Sequence, residues 1–395
     1  MLSGVRVLDL GRYIAAPYCS MVLSDLGAEV IRLERPGGEQ DRRLGLCVPD
    51  GESFLFTGLA RNKKGVTLDL RAGEDAHNLL LDLVAHSDVL LHNFSPPAAT
   101  MLGVSYDEIR AAREDVIYAS ISSYGSRGAD ADRTGFDPIA QMASGAAAVT
   151  GYENSGPIRC GVPWVDYSTG LSATVGILAA LRHRDLTGEG QIVDCALLWT
   201  AVSYTAPMVA EAAIAERPRP RLGNQAAYVG VSNLFPCIDG QVYIVAVSES
   251  AWRALTQLVG APELADDEAL RTPEQRYEQR AVIDRPITAW TRGQTVSATL
   301  ALLRQARIPC GACRSSTEIG DDPQVRANDM LSYVDLEADG LDRVPVSSTP
   351  VCLSRLTPPA TIRPPRPGEH NQEIYGALLG YSSERLRDLE QAGVI

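Results

Sequence analysis

Asp166 is the residue whose surroundings most suggest chemistry. It lies just before a run from Ser168 to Leu181 that carries no charge. The run is long enough for a buried helix, but too short and too rich in glycine to span a bilayer. A carboxylate beside a buried helix usually has a partner or a function. Because Asp is also a favoured N-cap, this stretch alone favours a capping role for Asp166 and leaves a chemical role as the alternative.

A second candidate site follows an apolar strand that we predict over residues 88–92. Asn93 and Phe94 come directly after this strand and begin a turn that contains two prolines. In open parallel sheets, ligands bind beyond the carboxyl ends of the strands. We therefore expect Asn93 and Phe94 beside a ligand, although an Asn at a strand end is also typical of an Asx turn.

The elements that would position these residues alternate between strand and helix. The predicted strands are 5–10, 29–34, 65–70, 88–92 and 116–122, and the predicted helices are 17–26, 74–85 and 106–113. This alternation predicts an α/β fold with an open, mostly parallel, Rossmann-like sheet and helices on both faces. The first turn, which starts at Gly11, lacks the GxGxxG glycines that admit a pyrophosphate, so a nicotinamide or flavin cofactor is disfavoured.

Length and composition set the class of protein. A chain of 395 residues predicts two domains. The formal net charge of −13 argues against a nucleic-acid partner, but a few local arginines would still allow an anionic small ligand. No signal peptide or long apolar segment is evident, so we expect a cytoplasmic protein with no membrane partner. Only Cys310 and Cys313 form a CxxC, and no histidine cluster accompanies them, which makes a metal site unlikely.

The second half of the chain predicts a smaller α+β domain. The stretch 216–224, rich in proline and arginine at its start, is typical of a linker. A hairpin with its turn at Asp239-Gly240 follows, with an outgoing strand over 242–247. Helices are predicted over 250–259, 276–291 and 296–305, and a last one near 382–391. We assign 1–215 and 331–395 to a large domain and 225–330 to the small one.

Several separate stretches, in their order and spacing, carry a resemblance to one family. They are Gly4–Asp9, Leu26–Ile31 with Glu34–Gly37, Asn62–Lys64, Asn93-Phe94, Gly135–Asp137, Asp166 with Thr169-Gly170, Thr187–Gln191, Asp239-Gly240, Ile308–Cys310 and Gly368–His370. Together they make the chain resemble the class III CoA-transferases, which include formyl-CoA transferase, crotonobetaine CoA-transferase and the α-methylacyl-CoA racemase branch. The resemblance covers nearly the whole chain.

The resemblance implies a function and a set of site residues. It implies transfer of coenzyme A from an acyl-CoA donor to a carboxylic acid, with no tightly bound cofactor and with Asp166 as the nucleophile. The intermediates would be an aspartyl anhydride and an aspartyl-CoA thioester, and backbone N–H groups at the following helix start could stabilise the oxyanions. CoA would be bound by Tyr13, Arg35, Leu68, Arg71, Asn93, Phe94 and Phe136. The family fold further implies an interlocked homodimer whose large domain is built from both ends of the chain.

Departures from the family pattern narrow the range of expected reactions and substrates. Phe136 stands where the racemase branch has an acid/base histidine, and it cannot move a proton. Asp137 follows it, either as a loop cap or as an assistant to catalysis. Ile14 stands where formyl-CoA transferases have a glutamine, and the segment 223–230 has only two glycines in place of a glycine run. Oxalate or formate is therefore disfavoured, and a larger or less polar acid is favoured.

Three alternatives remain open. An acyl-CoA racemase or epimerase of the same superfamily is opposed by Phe136, and a CoA-binding protein without catalysis is opposed by Asp166. A nucleotide-binding regulatory protein is opposed by the missing glycine fingerprint.

Overall fold

A computed structural model describes residues 1–48, 51–216, 218–338, 341–357 and 359–395. Position 217 of the predicted linker lies outside the described residues, as do 339, 340 and 358 in the predicted C-terminal part of the large domain. The chain divides into two compact units. The first comprises Met1–Ala146, Arg159–Ala210 and Pro323–Ile395, and the second comprises Ala147–Ile158 and Glu211–Asp322. The domain limits expected from the sequence stay a prediction, because compactness alone does not define a part that folds by itself.

The first unit is built on a six-stranded parallel sheet. Its strands are β1 (Arg6–Asp9), β2 (Glu29–Glu34), β3 (Lys64–Thr67), β4 (Val89–His92), β5 (Ile117–Ser122) and β6 (Ile192–Ala196). They lie in the order β3-β2-β1-β4-β5-β6, and every neighbouring pair is parallel. The predicted α/β class is thus confirmed. The strand order reverses between β1 and β4, and this leaves a crevice beyond their carboxyl ends.

Helices of the first unit cover both faces of its sheet, with α3 and α5 on one face and α1 and α8 on the other. The helices up to residue 215 are α1 (Ala15–Asp25), α2 (Phe54–Ala60), α3 (Glu74–Ala85), α4 (Pro96–Met101), α5 (Tyr106–Ala112), α6 (Asp137–Ala143), α7 (Ala146–Val149), α8 (Trp164–Thr187) and α9 (Leu197–Ala215), with a 3-10 turn at Gln40–Arg43. Of these, α7 belongs almost entirely to the second unit, and α9 has its last residues there. The prediction of a buried helix after Asp166 is confirmed in type, but α8 starts earlier than expected. It begins at Trp164, so Asp166 lies inside its first turn, and it ends at Gly188 in the left-handed conformation.

The core of the first unit lies on the two sides of the sheet. Leu8 and Ile31 belong to a cluster with α3 and α5, whereas their neighbours Val7 and Val30 belong to a cluster with α1 and α8. Successive residues of a strand point to opposite faces, so a strand buried on both sides must be apolar at nearly every position. This explains why the strands were evident from the sequence as apolar runs.

The second unit contains a three-stranded antiparallel sheet with helices. Its strands, in the order β7-β8-β9, are β7 (Val231–Pro236), β8 (Gln241–Ala246) and β9 (Cys310–Ala312). Its helices are α10 (Glu249–Leu258), α11 (Pro273–Glu278), α12 (Arg280–Arg292), α13 (Val296–Gln305) and α14 (Ser316–Ile319), with 3-10 turns at Pro262–Ala265 and Glu268–Leu270. The predicted hairpin at Asp239-Gly240 is confirmed by the pairing of β7 with β8. The single helix predicted over 276–291 is wrong, because Gln279 leaves the helical conformation and separates α11 from α12.

The C-terminal segment returns to the first unit. It contains α15 (Pro323–Ala327), the hairpin of β10 (Leu331–Ala338) and β11 (Leu341–Ser347), a π-helical turn at Gln372–Leu378, and α16 (Ser383–Gln391). At the edge strand β3, the Thr67 N–H donates to Asn371 Oδ1 at 2.9 Å, and the Gly65 N–H donates to His370 Nδ1 at 3.1 Å. The tail therefore covers an edge that would otherwise be open to pairing with another chain.

One helix of the described chain, α9, has the length and apolar composition that could cross a membrane. This is weak evidence of a membrane span, since core helices of other proteins meet the same criterion.

The crossing of α1 and α8 generates a stability prediction. A Cβ atom at Gly170 would lie 2.6 Å from the Ala15 carbonyl oxygen, whereas a Cβ at Gly58 in α2 would have its nearest neighbour at 3.9 Å. We expect Gly170→Ala to lower the free energy of unfolding by about 1–3 kcal/mol through overpacking. Gly58→Ala should raise it by up to about 1 kcal/mol, because it removes backbone freedom at no steric cost. Denaturant titration measures both. Equal stability of the two variants would contradict the close packing.

Candidate active site

The first turn of α8 is capped by a residue from another part of the chain. Pro163 precedes the helix and gives no side-chain cap. Asp137 supplies the acceptor: its Oδ2 accepts the N–H groups of Val165 at 2.8 Å and Asp166 at 3.3 Å. The capping role that the sequence favoured for Asp166 is therefore wrong, because that role belongs to Asp137.

The remaining N–H groups of this turn are also engaged. Trp164 donates to the Val162 carbonyl at 2.8 Å and Tyr167 to the Pro163 carbonyl at 3.3 Å. The Tyr167 bond is the first i→i−4 bond of the helix, and Pro163 has no N–H. The three N–H groups left without an intrahelical partner, those of Trp164, Val165 and Asp166, are thus all paired. The expectation that these groups bind oxyanions is not met in this arrangement. What remains available to a developing negative charge is the positive end of the helix dipole.

Asp137 is held by hydrogen bonds from every side. It is 2% exposed, and its Oδ1 accepts Gln141 Nε2 at 2.6 Å. Gln141 is buried as well, and its Oε1 accepts the Cys160 N–H at 2.8 Å. Both oxygens of Asp137 therefore accept hydrogen bonds from N–H donors, and these contacts fix the position of its side chain.

Asp166 has the opposite environment. Burial, followed by the negative charge of Asp137, raises the pKa of Asp166 to about 7. Among the described residues, none donates a hydrogen bond to its side-chain carboxylate. The site therefore contains two neighbouring carboxyl groups, one held by N–H donors and one that accepts no hydrogen bond from a described residue and has a raised pKa.

The loop after β1 lies across the crevice at the reversal of strand order. Asn93, at the end of β4, pairs with Arg12 on this loop: Asn93 Oδ1 accepts the Arg12 N–H at 2.9 Å, and Asn93 Nδ2 donates to the Arg12 carbonyl at 2.7 Å. Tyr13 has a φ of 65°, a costly conformation for a residue with a side chain, and its N–H donates to Asp41 Oδ2 at 2.9 Å. These contacts fix the course of the loop.

Buried charged side chains also hold the loop after β1 in place. Arg32 Nη2 lies 3.0 Å from each oxygen of Asp41, and Arg32 Nη1 donates to the Gly11 carbonyl at 3.1 Å. Asp9 accepts the Gly11 N–H at 2.8 Å through Oδ1 and Lys63 Nζ at 2.9 Å through Oδ2. Burial alone raises the pKa of Asp9, but Lys63 and Arg32 outweigh burial and hold that pKa below its ordinary value.

Two cavities open at this edge of the sheet. The first has a volume of about 270 Å³, and the second, which contains Asp166, has a volume of about 220 Å³. Arg12, Tyr13, Phe94 and Ala98 line both cavities. Because the cavities share this wall, a long ligand lying in the first could place its end in the second.

Most of the predicted site residues lie at these cavities. Arg35, Leu68 and Arg71 line the first, Asn93, Phe136 and Asp166 line the second, and Tyr13 and Phe94 line both. Asp137 is not among the lining residues and lies beneath the start of α8. In this structure Arg71 pairs with Asp69 at 3.1 Å, and Arg35 Nε donates to the Gly38 carbonyl at 3.0 Å.

The sequence did not single out Arg12, Arg133 or Gln141. Arg12 and Arg133 line the second cavity, and Gln141 holds Asp137. Arg133 lies in the loop after β5 but 11 residues beyond Ser122, the last residue of that strand, so the argument from strand ends did not reach it. The sequence around Gln141 did not indicate its role, because the role of a buried glutamine inside a helix depends on its hydrogen-bond partners, which the sequence does not show.

The geometry can be compared with known proteins. The family model described as CoA-transferase family III matches residues 2–371. The chain is 34% identical over 411 residues to a formyl-CoA:oxalate CoA-transferase from Streptomyces avermitilis, covering 100% of this chain and 99% of that protein. It is 32% identical over 396 residues to a succinyl-CoA–D-citramalate CoA-transferase from Chloroflexus aurantiacus, covering 100% and 98%. A crystal structure of a CAIB/BAIF family protein from Brucella suis is similar with a TM-score of 0.84 and 29% identity, covering 95% of this chain and 99% of that one.

The raised pKa of Asp166 predicts a pH-dependent stability. Its folded value of about 7 exceeds the ordinary 3.8, so the stabilising contribution of Asp166 is fully present below about pH 3.8 and is lost as the pH rises through 7. The Asp166→Asn variant has no carboxyl group to ionise at this position, so it does not lose this stability as the pH rises. The variant should gain stability over the parent protein between pH 4 and pH 7, by at most roughly 4 kcal/mol, with a constant difference above pH 7. Thermal melts at pH 5 and pH 8.5 measure it.

Asp137→Asn is the matched control for that measurement. It should destabilise the protein at both pH values, because its new amide group would face N–H donors where an oxygen now accepts them. A variant Asp166→Asn whose melting temperature follows the parent protein at every pH would refute the raised pKa.

Proposed function

The chain belongs to CoA-transferase family III and is an enzyme of this class, and from that premise we propose that Asp166 is its covalent nucleophile. It would move CoA from an acyl-CoA to a carboxylic acid through an aspartyl anhydride and an aspartyl-CoA thioester. One observation carries the proposal. The Asp166 side chain lies in a cavity that shares a wall with the cavity of about 270 Å³, and no described residue donates to its carboxylate.

The first half of the proposed reaction makes the thioester. A carboxylate oxygen of Asp166 attacks the thioester carbonyl of the donor, the C–S bond breaks, and CoA leaves as a thiolate, which gives an acyl–aspartyl anhydride. The thiolate then attacks the Asp166 Cγ, and the bond from Cγ to the anhydride oxygen breaks. The donor acid leaves as a carboxylate, and Asp166 now carries CoA as a thioester.

The second half repeats these steps with the acceptor. The acceptor carboxylate attacks the Asp166 Cγ and expels the CoA thiolate, which gives a new anhydride. The thiolate attacks the acceptor's acyl carbon, and Asp166 is released as a carboxylate. Each step exchanges one anionic nucleophile for one anionic leaving group, so no proton needs to move. The lack of an acid/base group at Phe136 is compatible with this chemistry.

The first cavity supplies the groups that CoA requires. Arg35 and Arg71 are cations suited to phosphate groups, and Leu68, Phe94 and Met101 offer apolar surface to the rest of the cofactor. Arg71 would exchange its contact with Asp69 for a phosphate, since an exposed ion pair contributes little stability. The thiol end would then extend past Tyr13 towards Asp166.

The racemase alternative requires a proton donor and a proton acceptor on opposite sides of the substrate's α-carbon. Among the described residues that line the Asp166 cavity none is a histidine, and Phe136 occupies the position that would have to supply one. The binding-only alternative gives no role to a nucleophile of raised pKa at the end of the cavity. Transfer is the function that uses both the cavities and Asp166.

The proposed nucleophile can be tested by trapping. Turnover in the presence of hydroxylamine should convert Asp166 to its hydroxamate, which peptide mass spectrometry locates. Asp166→Ala should lose at least about 10³-fold in kcat/KM and show no trapped adduct. Asp185→Asn, an exposed aspartate near the other end of α8, is the control and should keep full activity. Full transfer by Asp166→Ala, or an adduct on another residue, would sink the proposal.

The proposal extends to a homodimer, which the family resemblance describes as interlocked. It is supported by apolar residues exposed along α9 in the single chain, among them Trp199, Tyr204 and Val209. Exposed apolar surface of this kind favours a protein partner, and a second copy of the chain is the partner that the family fold implies.

An interlocked pair cannot separate while both chains stay folded. Light scattering over a wide dilution series should therefore give the dimer mass at every concentration, and any dissociation should coincide with loss of circular dichroism. A folded monomer at low concentration would refute the interlocked dimer and leave the transfer chemistry untouched.

A further inference from the structure

Arg133 lies in the wall of the cavity that contains Asp166. It belongs to the loop that leaves the carboxyl end of β5. Ser123 Oγ donates to the Gly135 carbonyl in this loop at 3.0 Å, and a Cβ at Gly135 would lie 3.1 Å from the Ser123 side chain. The loop is thus packed closely against the strand end, and this packing fixes the backbone that carries Arg133 beside the cavity.

The Arg133 guanidinium has unused capacity for hydrogen bonding. Its Nη1 lies 2.9 Å from Asp130 Oδ1, three residues earlier in the same loop, and the two side chains are 71% and 45% exposed. Exposed pairs of this kind contribute at most about 1 kcal/mol, so a ligand carboxylate could replace Asp130 at little cost. Among the described residues no group bonds the Nε or Nη2 of Arg133, the nitrogens that complete a two-point contact with a carboxylate.

Arg12, the other arginine of this cavity, is already committed. Its Nη2 pairs with Glu39 at 2.9 Å, and its guanidinium stacks over the Phe94 ring at 5.2 Å from the centroid. Its backbone is bound to Asn93 on both sides. Glu39 is 7% exposed whereas Asp130 is 45% exposed, so water can solvate Asp130 but not Glu39 after an exchange of partners. An anion that enters the cavity therefore replaces the partner of Arg133 at lower cost than the partner of Arg12.

Charge decides which acids benefit from such a cation. The chain carries a net charge of −13, and the cavity already contains Asp166, so a dianionic acid is repelled more strongly than a monoanion. When one carboxylate of a substrate reaches Asp166, a second carboxylate must find a partner or pay the cost of losing its water. The Arg133 guanidinium, whose Nε and Nη2 have no partner among the described residues, supplies that partner.

We propose that Arg133 binds the second carboxylate of the substrate, which makes this enzyme a transferase for short dicarboxylic acids. The inference rests on the proposed function, since it takes Asp166 as the point where the first carboxylate reacts. The cavity volume of about 220 Å³ lies below the roughly 300–1,000 Å³ of pockets for drug-sized ligands, as expected for a small acid. The sequence favoured an acid that is either larger or less polar than oxalate. Binding of a second carboxylate by Arg133 favours the first of these, a larger acid that is still polar.

The test compares acids of equal carbon number. Succinate and glutarate are paired with butyrate and valerate as acceptors, with one acyl-CoA donor throughout, and kcat/KM is measured for each. The parent protein should prefer the dicarboxylates. Arg133→Gln should lower the ratio of dicarboxylate to monocarboxylate kcat/KM by about 10- to 100-fold, and Arg133→Lys should lower it less, because it keeps the charge and loses the two-point contact.

Arg127→Gln is the matched control, since Arg127 is an exposed arginine of the same segment that does not line the cavity. It removes the same charge and should keep the ratio of the parent protein. Melting temperatures confirm that each variant is folded. An unchanged ratio in Arg133→Gln would overturn the inference while leaving transfer intact. Absence of transfer to all four acids by the parent protein, together with no trapped Asp166, would instead overturn the proposed function.

Discussion

The pairing of Arg32 with Asp41 is the contact on which the candidate site depends. Arg32 comes from β2, the strand next to the edge strand β3, and through Asp41 and Gly11 it holds the loop that forms part of the shared wall of the two cavities. Both side chains are almost fully buried, so neither charge can be satisfied by water if the other is removed. The Nε of Arg32 has no hydrogen-bond partner among the described residues, so its two Nη groups make all the polar contacts that hold the loop.

Asp137 and Asp166 illustrate how environment separates two identical groups. Asp137 accepts hydrogen bonds from three N–H donors and lies under the helix. Asp166 lines a cavity, and its carboxylate accepts no hydrogen bond from a described residue. The fixed charge of Asp137 is also the second cause of the raised pKa of Asp166. A hydrogen-bonded carboxylate is a weak nucleophile, because its lone pairs are engaged, and a desolvated one is a strong nucleophile. The same residue that orients the helix thus keeps its neighbour reactive.

The sequence predicted the sheet well because its strands are buried on both faces. The strand predicted over 29–34 and the helix predicted over 74–85 match β2 and α3 residue for residue. The start of α8 was misplaced, and its cap was assigned to Asp166, because the true cap lies 28 residues before Val165 in the chain. Local rules for capping consider only the residues beside a helix. The roles of Arg12 and Gln141 were not predicted for the same reason, because they depend on contacts with residues distant in sequence.

The proposed reaction explains why so little acid/base machinery surrounds Asp166. Carboxylates and thiolates are anions that leave without protonation, so a step that exchanges one for the other has no need of a histidine. What the reaction does require is a carboxylate free of water and of hydrogen bonds, because its solvation must be lost before attack. The site supplies this through burial and the nearby charge of Asp137. A phenylalanine at position 136 suits such a site, since it lines the same cavity as Asp166 and neither donates nor accepts a proton.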